Sequence, residues 1–310
     1  MAEYELERTK IHFTWNPAHP PAITVEPGDV VHCWTQEVTN GQVTRGCGAD
    51  ALASIDLSQI YPLAGPIAVH GAEPGDALQI EILSLKPDDW GWTGIIPGLG
   101  LLAEELNQPY IKHFDLSNGK TTRFSDQIVL PLQPFCGTMG VAPAEPGDRS
   151  VLPPGDFGGN MDIRHLNEGC TLLLPVNVAG ALFSAGDCHA VQGDGEVCVT
   201  GIECPMSFSL RFDLRKGRSL PSPQFIVKRT PVSSHDREAG YYATTGVGPD
   251  LMEDAQNAVR RMIDWLGSEH SLSPEDAYLL CSVAGDLKIS EIVDQPNWIV
   301  SCYMPLSIFA

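Results

Sequence analysis

The chain has 310 residues, 43% of them hydrophobic, and a formal charge of -20; it can bury a sizeable core, and its long-range field excludes nucleic acid and anionic lipid surfaces as partners. No run of about 18 apolar residues is present, which excludes a spanning helix, and the opening MAEYELERTKIHFTW lacks the basic and apolar regions of a secretory signal. The nine cysteines are odd in number, scattered and without a C-x-x-C pair, the usage expected of reduced thiols in the cytoplasm rather than of a disulfide framework or zinc knuckle.

Thirty glycines and 25 prolines punctuate the chain. Pro-Gly-Asp recurs at 27–29, 74–76, 146–148 and 154–156, each a turn signal beside a predicted strand. Leu78 to Leu83 alternates in part, and 115–127 is a soft, polar boundary. Leu172 to Val178 reads as a strand that Pro175 pushes towards an edge or a bulge. Glu196 to Cys204 reads as a strand as well. Met206 to Leu214 sets Phe208, Leu210, Phe212 and Leu214 on one face and Ser207, Ser209, Arg211 and Asp213 on the other, the pattern of a half-buried antiparallel strand. After a second soft boundary at 231–248, Leu251, Ala255, Ala258, Val259, Met262, Trp265 and Leu266 form an apolar stripe at helical spacing, which Gly267 can close. A second helix is predicted from Ser273, with Pro274 at its first position, to Gly285, and a short strand around Asn297 to Tyr303. No tandem repeat is visible. The expectation is mainly β: a β-sandwich-like core of many short strands in a single unit spanning 1–310, with a smaller α-helical C-terminal part at about 249–285, hence α+β.

The densest polar segment is Gly186 to Glu196, with Asp187, Asp194 and Glu196, the imidazole of His189, and Gln192 among glycines. If extended, it puts Asp187 with His189 on one face and Asp194 with Glu196 on one face. A nest of carboxylate oxygen and imidazole nitrogen suits a divalent metal; a solvated Asp-Gly turn explains the same residues equally well. A second cluster, Gly158 to Leu166, brings Gly159 and Asn160 near Asp162 and His165. Its glycines can let backbone amides approach a ligand, and a helical turn from Asp162 would carry His165 on the same face; the plain alternative pairs Arg164 with Asp162 at the surface. A third group holds His32, Glu37, His70 and Cys136. A thiolate beside Gly137 can attack an amide carbon, but a buried cysteine is also a common small hydrophobe. G-x-S-x-G, P-loop, H-E-x-x-H and dinucleotide motifs are absent.

GPIAVHGAEPGD (65–76), PFCGTMGVAP (134–143), GGNMDIRHL (158–166), LPVNVAGALFSAGDCHAVQGDGEVCVTGIE (174–203) and PEDAYLLCSVAGDLKISEIVDQPNWIVS (274–301) together resemble the acetamidase/formamidase family. The resemblance implies a sandwich-like fold, hydrolysis of a short aliphatic amide to carboxylate and ammonia, and a homo-oligomer, and it carries Asp162, His189 and Glu196 over as site residues. This chain departs from the family pattern at Tyr61, often histidine there, and at His70, often glutamate. If either touches substrate or metal, the preferred amide differs from acetamide or formamide.

The expected mechanism is metal-assisted hydrolysis of a small neutral amide. Asp162, His189 and Asp187 hold a divalent ion, Zn2+ in the first place with Ca2+ as the alternative. Glu196 or Asp194 serves as base, and Gly159, Asn160, His70 and Gln192 bind substrate. The rivals are covalent catalysis by Cys136 and a metal-stabilised β protein that binds a small ligand without turning it over.

Overall fold

A computed structural model describes residues 1–127, 129–227, 240–274, 277, 281 and 284–309. Two sheets face each other across one apolar core. The larger has nine strands, with Met206–Arg215 and Ala77–Pro87 paired antiparallel near its middle and Tyr241–Gly248, Trp298–Pro305 and Asp286–Glu291 forming its far flank. The smaller runs in the order Gly158–Asn160, Phe135–Gly140, Phe183–His189, Leu63–Val69, Ile11–His12. Phe212 of the first sheet meets Phe183 of the second edge-on, with ring centroids 5.2 Å apart, and Ile80, Leu172, Phe208, Ile67 and Met139 fill the space around them.

The alternation of Met206 to Leu214 is realised in the strand Met206–Arg215, whose Phe208, Leu210 and Phe212 are buried. The smaller sheet's strands Leu63–Val69, Phe135–Gly140 and Phe183–His189 are buried at every position. They show no alternation because both of their faces are covered. At three of the Pro-Gly-Asp turns the glycine takes positive φ, at Gly28, Gly75 and Gly147.

Three sequence expectations need correction. Thr171–Pro175 lies inside the large sheet, between Ala77–Pro87 and Gln224–Val227; Pro175 is its last residue, where a missing N–H costs least. Glu196 to Cys204 forms no strand, because Glu196 and Val199 adopt left-handed backbone, φ 45° and 67°, and the segment turns back on itself. The helix Leu251–His270 runs through Gly267 and ends at Ser271, φ 55°, where the Ser271 N–H donates to the Gly267 carbonyl and the Leu272 N–H to the Leu266 carbonyl. Asp250 caps its start by accepting from the Met252 and Glu253 amides, and Ala258, Met262, Trp265 and Leu266 pack beneath it. The second predicted helix, 273–285, lies largely outside the described residues, as does much of the polar stretch 231–248. No described helix is long and apolar enough to cross a membrane.

Candidate active site

The strand Phe183–His189 delivers Asp187 and His189 to one end of the smaller sheet, in register with Phe135–Gly140. His189 is buried, its ring edge-on to Phe135 at 5.1 Å. Nδ1 lies 2.6 Å from Gln192 Oε1, 3.5 Å from Asp162 Oδ1 and 3.8 Å from Glu196 Oε1. Nε2 lies 3.3 Å from Asp187 Oδ1 and 3.1 Å from Glu203 Oε2. Gln192 is oriented by its amide nitrogen, which donates to the Asp162 carbonyl at 2.9 Å. Its oxygen therefore faces Nδ1 and accepts a hydrogen bond from it.

Two sets of ligand atoms share this one imidazole: Asp162 and Glu196 with His189, and Asp187 and Glu203 with His189, each set lying within 4.8 Å. Asp162, Asp187 and Glu196 all sit in the left-handed region, φ 47°, 52° and 45°, a conformation that costs of order 1–3 kcal/mol per residue and persists where the surroundings enforce it. Gly137 makes room for two of them: a Cβ there would stand 2.4 Å from Asp162 Oδ1 and 2.8 Å from Asp187 Oδ2. Gly201 does the same for the imidazole, at 2.9 Å from its Nδ1.

Further buried carboxyls surround this centre. Asn160 Nδ2 donates to Asp294 Oδ2 at 2.6 Å, and Glu291 accepts from the Asp294 amide at 2.6 Å. Glu37 accepts from Trp92 Nε1 at 3.1 Å. Burial, then the Asp187 charge, pushes Asp162 well above the ordinary carboxylate range. Burial, then Asp162, does the same to Glu196, and burial, then Glu291, to Asp294. Burial raises Glu203 and Glu291 to about 7 each. For His189 burial opposes the charge, but the carboxylates of Glu203 and Asp187 outweigh it and hold the imidazolium well above its usual range. Both Asp162 oxygens are buried and make no hydrogen bond. A carboxylate enclosed without donors requires a cation or a proton.

The sequence-predicted residues divide. Asp162, Asp187, His189, Gln192 and Glu196 converge. Asn160 borders them, its amide spent on Asp294, on the Leu152 carbonyl at 3.1 Å and on accepting from Thr138 Oγ1 at 2.7 Å. Gly159 lies in the short strand beside Phe135–Gly140.

Asp194 stays outside and is largely exposed, 3.1 Å from Arg164 Nε. His165 points away to Tyr303 Oη at 3.0 Å. His70 is exposed and bonds Glu26 at 3.1 Å, while His32 bonds Ser209 and Glu3. Cys136 is buried in the apolar core; the neighbouring Cys188 sulfur at 3.6 Å and then burial push its pKa well up.

Glu203, Glu291 and Asp294 carried no signal in sequence pattern. Glu203 closes a bridge with His189 and with Trp92, and Glu291 and Asp294 arrive from a strand end about a hundred residues away in sequence.

The profile of the Acetamidase/Formamidase family matches residues 2–146 and 144–310. The crystal structure of an acetamidase from Bacillus halodurans superposes with a TM-score of 0.89 at 33% identity, covering 98% of each chain. An acetamidase from Mycolicibacterium smegmatis is 31% identical over 66% of this chain and 66% of its own. A formamidase from Methylophilus methylotrophus is 28% identical over 97% of this chain and 89% of its own.

Proposed function

The chain belongs to the acetamidase/formamidase family and hydrolyses a carbon–nitrogen amide bond, and we propose that the nest around His189 is where water cleaves a small neutral amide to carboxylate and ammonia. The observation that carries the location is Asp162: a buried carboxylate with no hydrogen bond, in strained backbone, facing an imidazole and Glu196.

The donor set fits a divalent ion. Asp162, His189 and Glu196 would hold it, with Asp187 and Glu203 behind the imidazole. One nitrogen among carboxylate oxygens suits zinc first and calcium second. When bound, such an ion supplies Lewis-acid polarisation of the amide carbonyl and a stronger nucleophile from water. The chain's own residues do the rest. Asp187 and Glu203, both on Nε2, fix the plane of the imidazole, as partners behind a ligand do, and Nδ1 would exchange its hydrogen bond to Gln192 for the ion. With one carboxylate oxygen towards the ion, Glu196 keeps the other for water; burial, then Asp162, raises it above the ordinary carboxylate range, so it can take a proton from water and return it to the departing nitrogen. Asn160 holds Asp294 at the edge of the nest. Asp194 and Cys136 have no part in this reading, so Cys136→Ala retains turnover.

All nine cysteines are outside disulfides, which supports a cytoplasmic location. The run of exposed Leu99, Leu101, Leu102 and Leu106 supports a homo-oligomer that covers it.

Ammonia release from formamide, acetamide and propionamide, measured before and after chelation and after metal is returned, tests the scheme. Activity lost and then restored agrees with it. Full turnover in metal-free protein overturns the metal's role, and silence across the panel with metal bound overturns the substrate class.

A further inference from the structure

Beside the carboxylate nest lies a second, chemically opposite space. A cavity of about 450 Å3 is walled by Leu52, Ile55, Ile60, Trp92 and Ile96. Tyr61, Leu152, Val199 and Thr200 form the side nearest the nest.

The two spaces are joined by hydrogen bonds between their walls. Tyr61 Oη stands 3.5 Å from Asn160 Nδ2, and that nitrogen also meets the Leu152 carbonyl and Asp294. The Val199 amide donates to the Glu196 carbonyl at 2.8 Å, so the turn that carries Glu196 into the nest also presents Val199 and Thr200 to the cavity. Tyr61 is buried in left-handed backbone, φ 55°. Burial, then the charges of Asp294 and Asp187, keeps its phenol protonated.

Acetamide has four heavy atoms and would offer this cavity one methyl group. Spaces of 300–1,000 Å3 with apolar walls and few polar groups accommodate much larger ligands. An amide whose head reaches Asp162 and Glu196 can lay its acyl chain past Tyr61 onto Trp92 and Ile96. We propose that this cavity is the acyl pocket of the enzyme, and that its preferred substrates are primary amides of medium-chain or arylalkyl acids.

The proposal rests on the amide-hydrolysis reading above and names its substrate class. Hydrolysis stays balanced: the C–N bond breaks, water supplies the hydroxyl and one proton to give carboxylic acid and ammonia, and the acid's proton passes to ammonia, so carboxylate and ammonium leave. Each methylene buried contributes about fourfold in binding, so hexanamide gains roughly 10- to 100-fold in kcat/KM over acetamide after imperfect packing.

The test is ammonia release by the metal-loaded enzyme from acetamide, butanamide, hexanamide and phenylacetamide. A second arm titrates hexanamide calorimetrically into wild type and into Glu196→Gln. Ile96→Trp fills the cavity and is expected to erase the hexanamide advantage; Leu57→Trp, at an exposed rim position, repeats the test where folding tolerates bulk. A kcat/KM that rises along the series and collapses in either variant supports the proposal. Acetamide turnover with no gain for hexanamide overturns it and leaves the amidase reading standing. No turnover of any amide, with hexanamide still bound by wild type and lost in Ile96→Trp, supports the acyl pocket and overturns the catalytic reading.

Discussion

The strand Phe183–His189 meets two histidine environments of opposite character at its two ends, one half-buried and one fully buried. At its Ser184 end His12 is enclosed, with Nδ1 donating to the Thr14 carbonyl at 2.8 Å and Nε2 accepting from Ser184 at 2.7 Å. Burial, then His19, lowers its pKa to about 4; it is neutral and satisfied. At the other end His189 is fully buried, yet in the absence of an ion carboxylates hold its proton and a neighbouring carboxylate remains without a hydrogen bond. Burial alone makes histidine neutral, so the charge of His189 is the work of its neighbours. The satisfied end is architecture, and the unsatisfied end is chemistry.

Four substitutions sharpen that contrast. The largest effect is expected for Asp162→Asn, which keeps a residue tolerant of left-handed backbone and removes the negative charge. Turnover should fall roughly a thousandfold, while Tm of the metal-free protein holds or rises because a buried carboxyl without a hydrogen bond is replaced. A Tm loss matching the activity loss would make Asp162 a structural residue. Gly137→Ala comes next, since the added methyl collides with Asp162 and Asp187. About a hundredfold in kcat/KM should go with displacement of the carboxylates, together with about 1–3 kcal/mol of stability. Unchanged kinetics would show that the nest need not be that tight.

Glu203→Gln tests the rear of the imidazole. Metal affinity, measured by competition with a chelating dye, should weaken about 10- to 100-fold, with activity restored at high metal. The smallest effect on catalysis belongs to His12→Asn, for which kcat should not change. The readout there is stability. In the folded chain His12 titrates at about 4, against 6.5 unfolded, so above pH 6.5 it contributes no pH dependence. As pH falls from 6.5 towards 4 the unfolded chain binds a proton the folded one refuses, and stability drops by about 3 kcal/mol. Melting curves across that window should be flatter in His12→Asn. An equally steep decline would assign the acid sensitivity to other groups.

Much of this was legible in sequence where local pattern and placement agree. The alternation of Met206 to Leu214 encodes a strand with one buried face, and the density of polar groups from Gly186 to Glu196 marks a segment unsuited to an ordinary core. Asp187 and His189 fall two apart on one strand, and both reach the nest. Pattern failed where backbone broke its period. Glu196 and Val199 turn left-handed, so the strand expected from Glu196 to Cys204 dissolves, and Asp194 swings out to Arg164 instead of sharing a face with Glu196.

Glu203, Glu291 and Asp294 were illegible for another reason. Each is an isolated acid in its own segment, and only the pairing of distant strands brings them together. His70 and Cys136 illustrate the reverse: residues of reactive type in suggestive company that the topology sends to solvent and to the apolar core.

The left-handed backbone at Asp162 and Asp187 also has a genetic consequence. Few side chains accept that conformation, and asparagine is foremost among those that do. The aspartate and asparagine codons differ by one base. A single transition can therefore produce a gene whose product still folds but no longer turns over its substrate, and across related genomes the residue at 162 would separate working copies from silent ones where overall similarity could not.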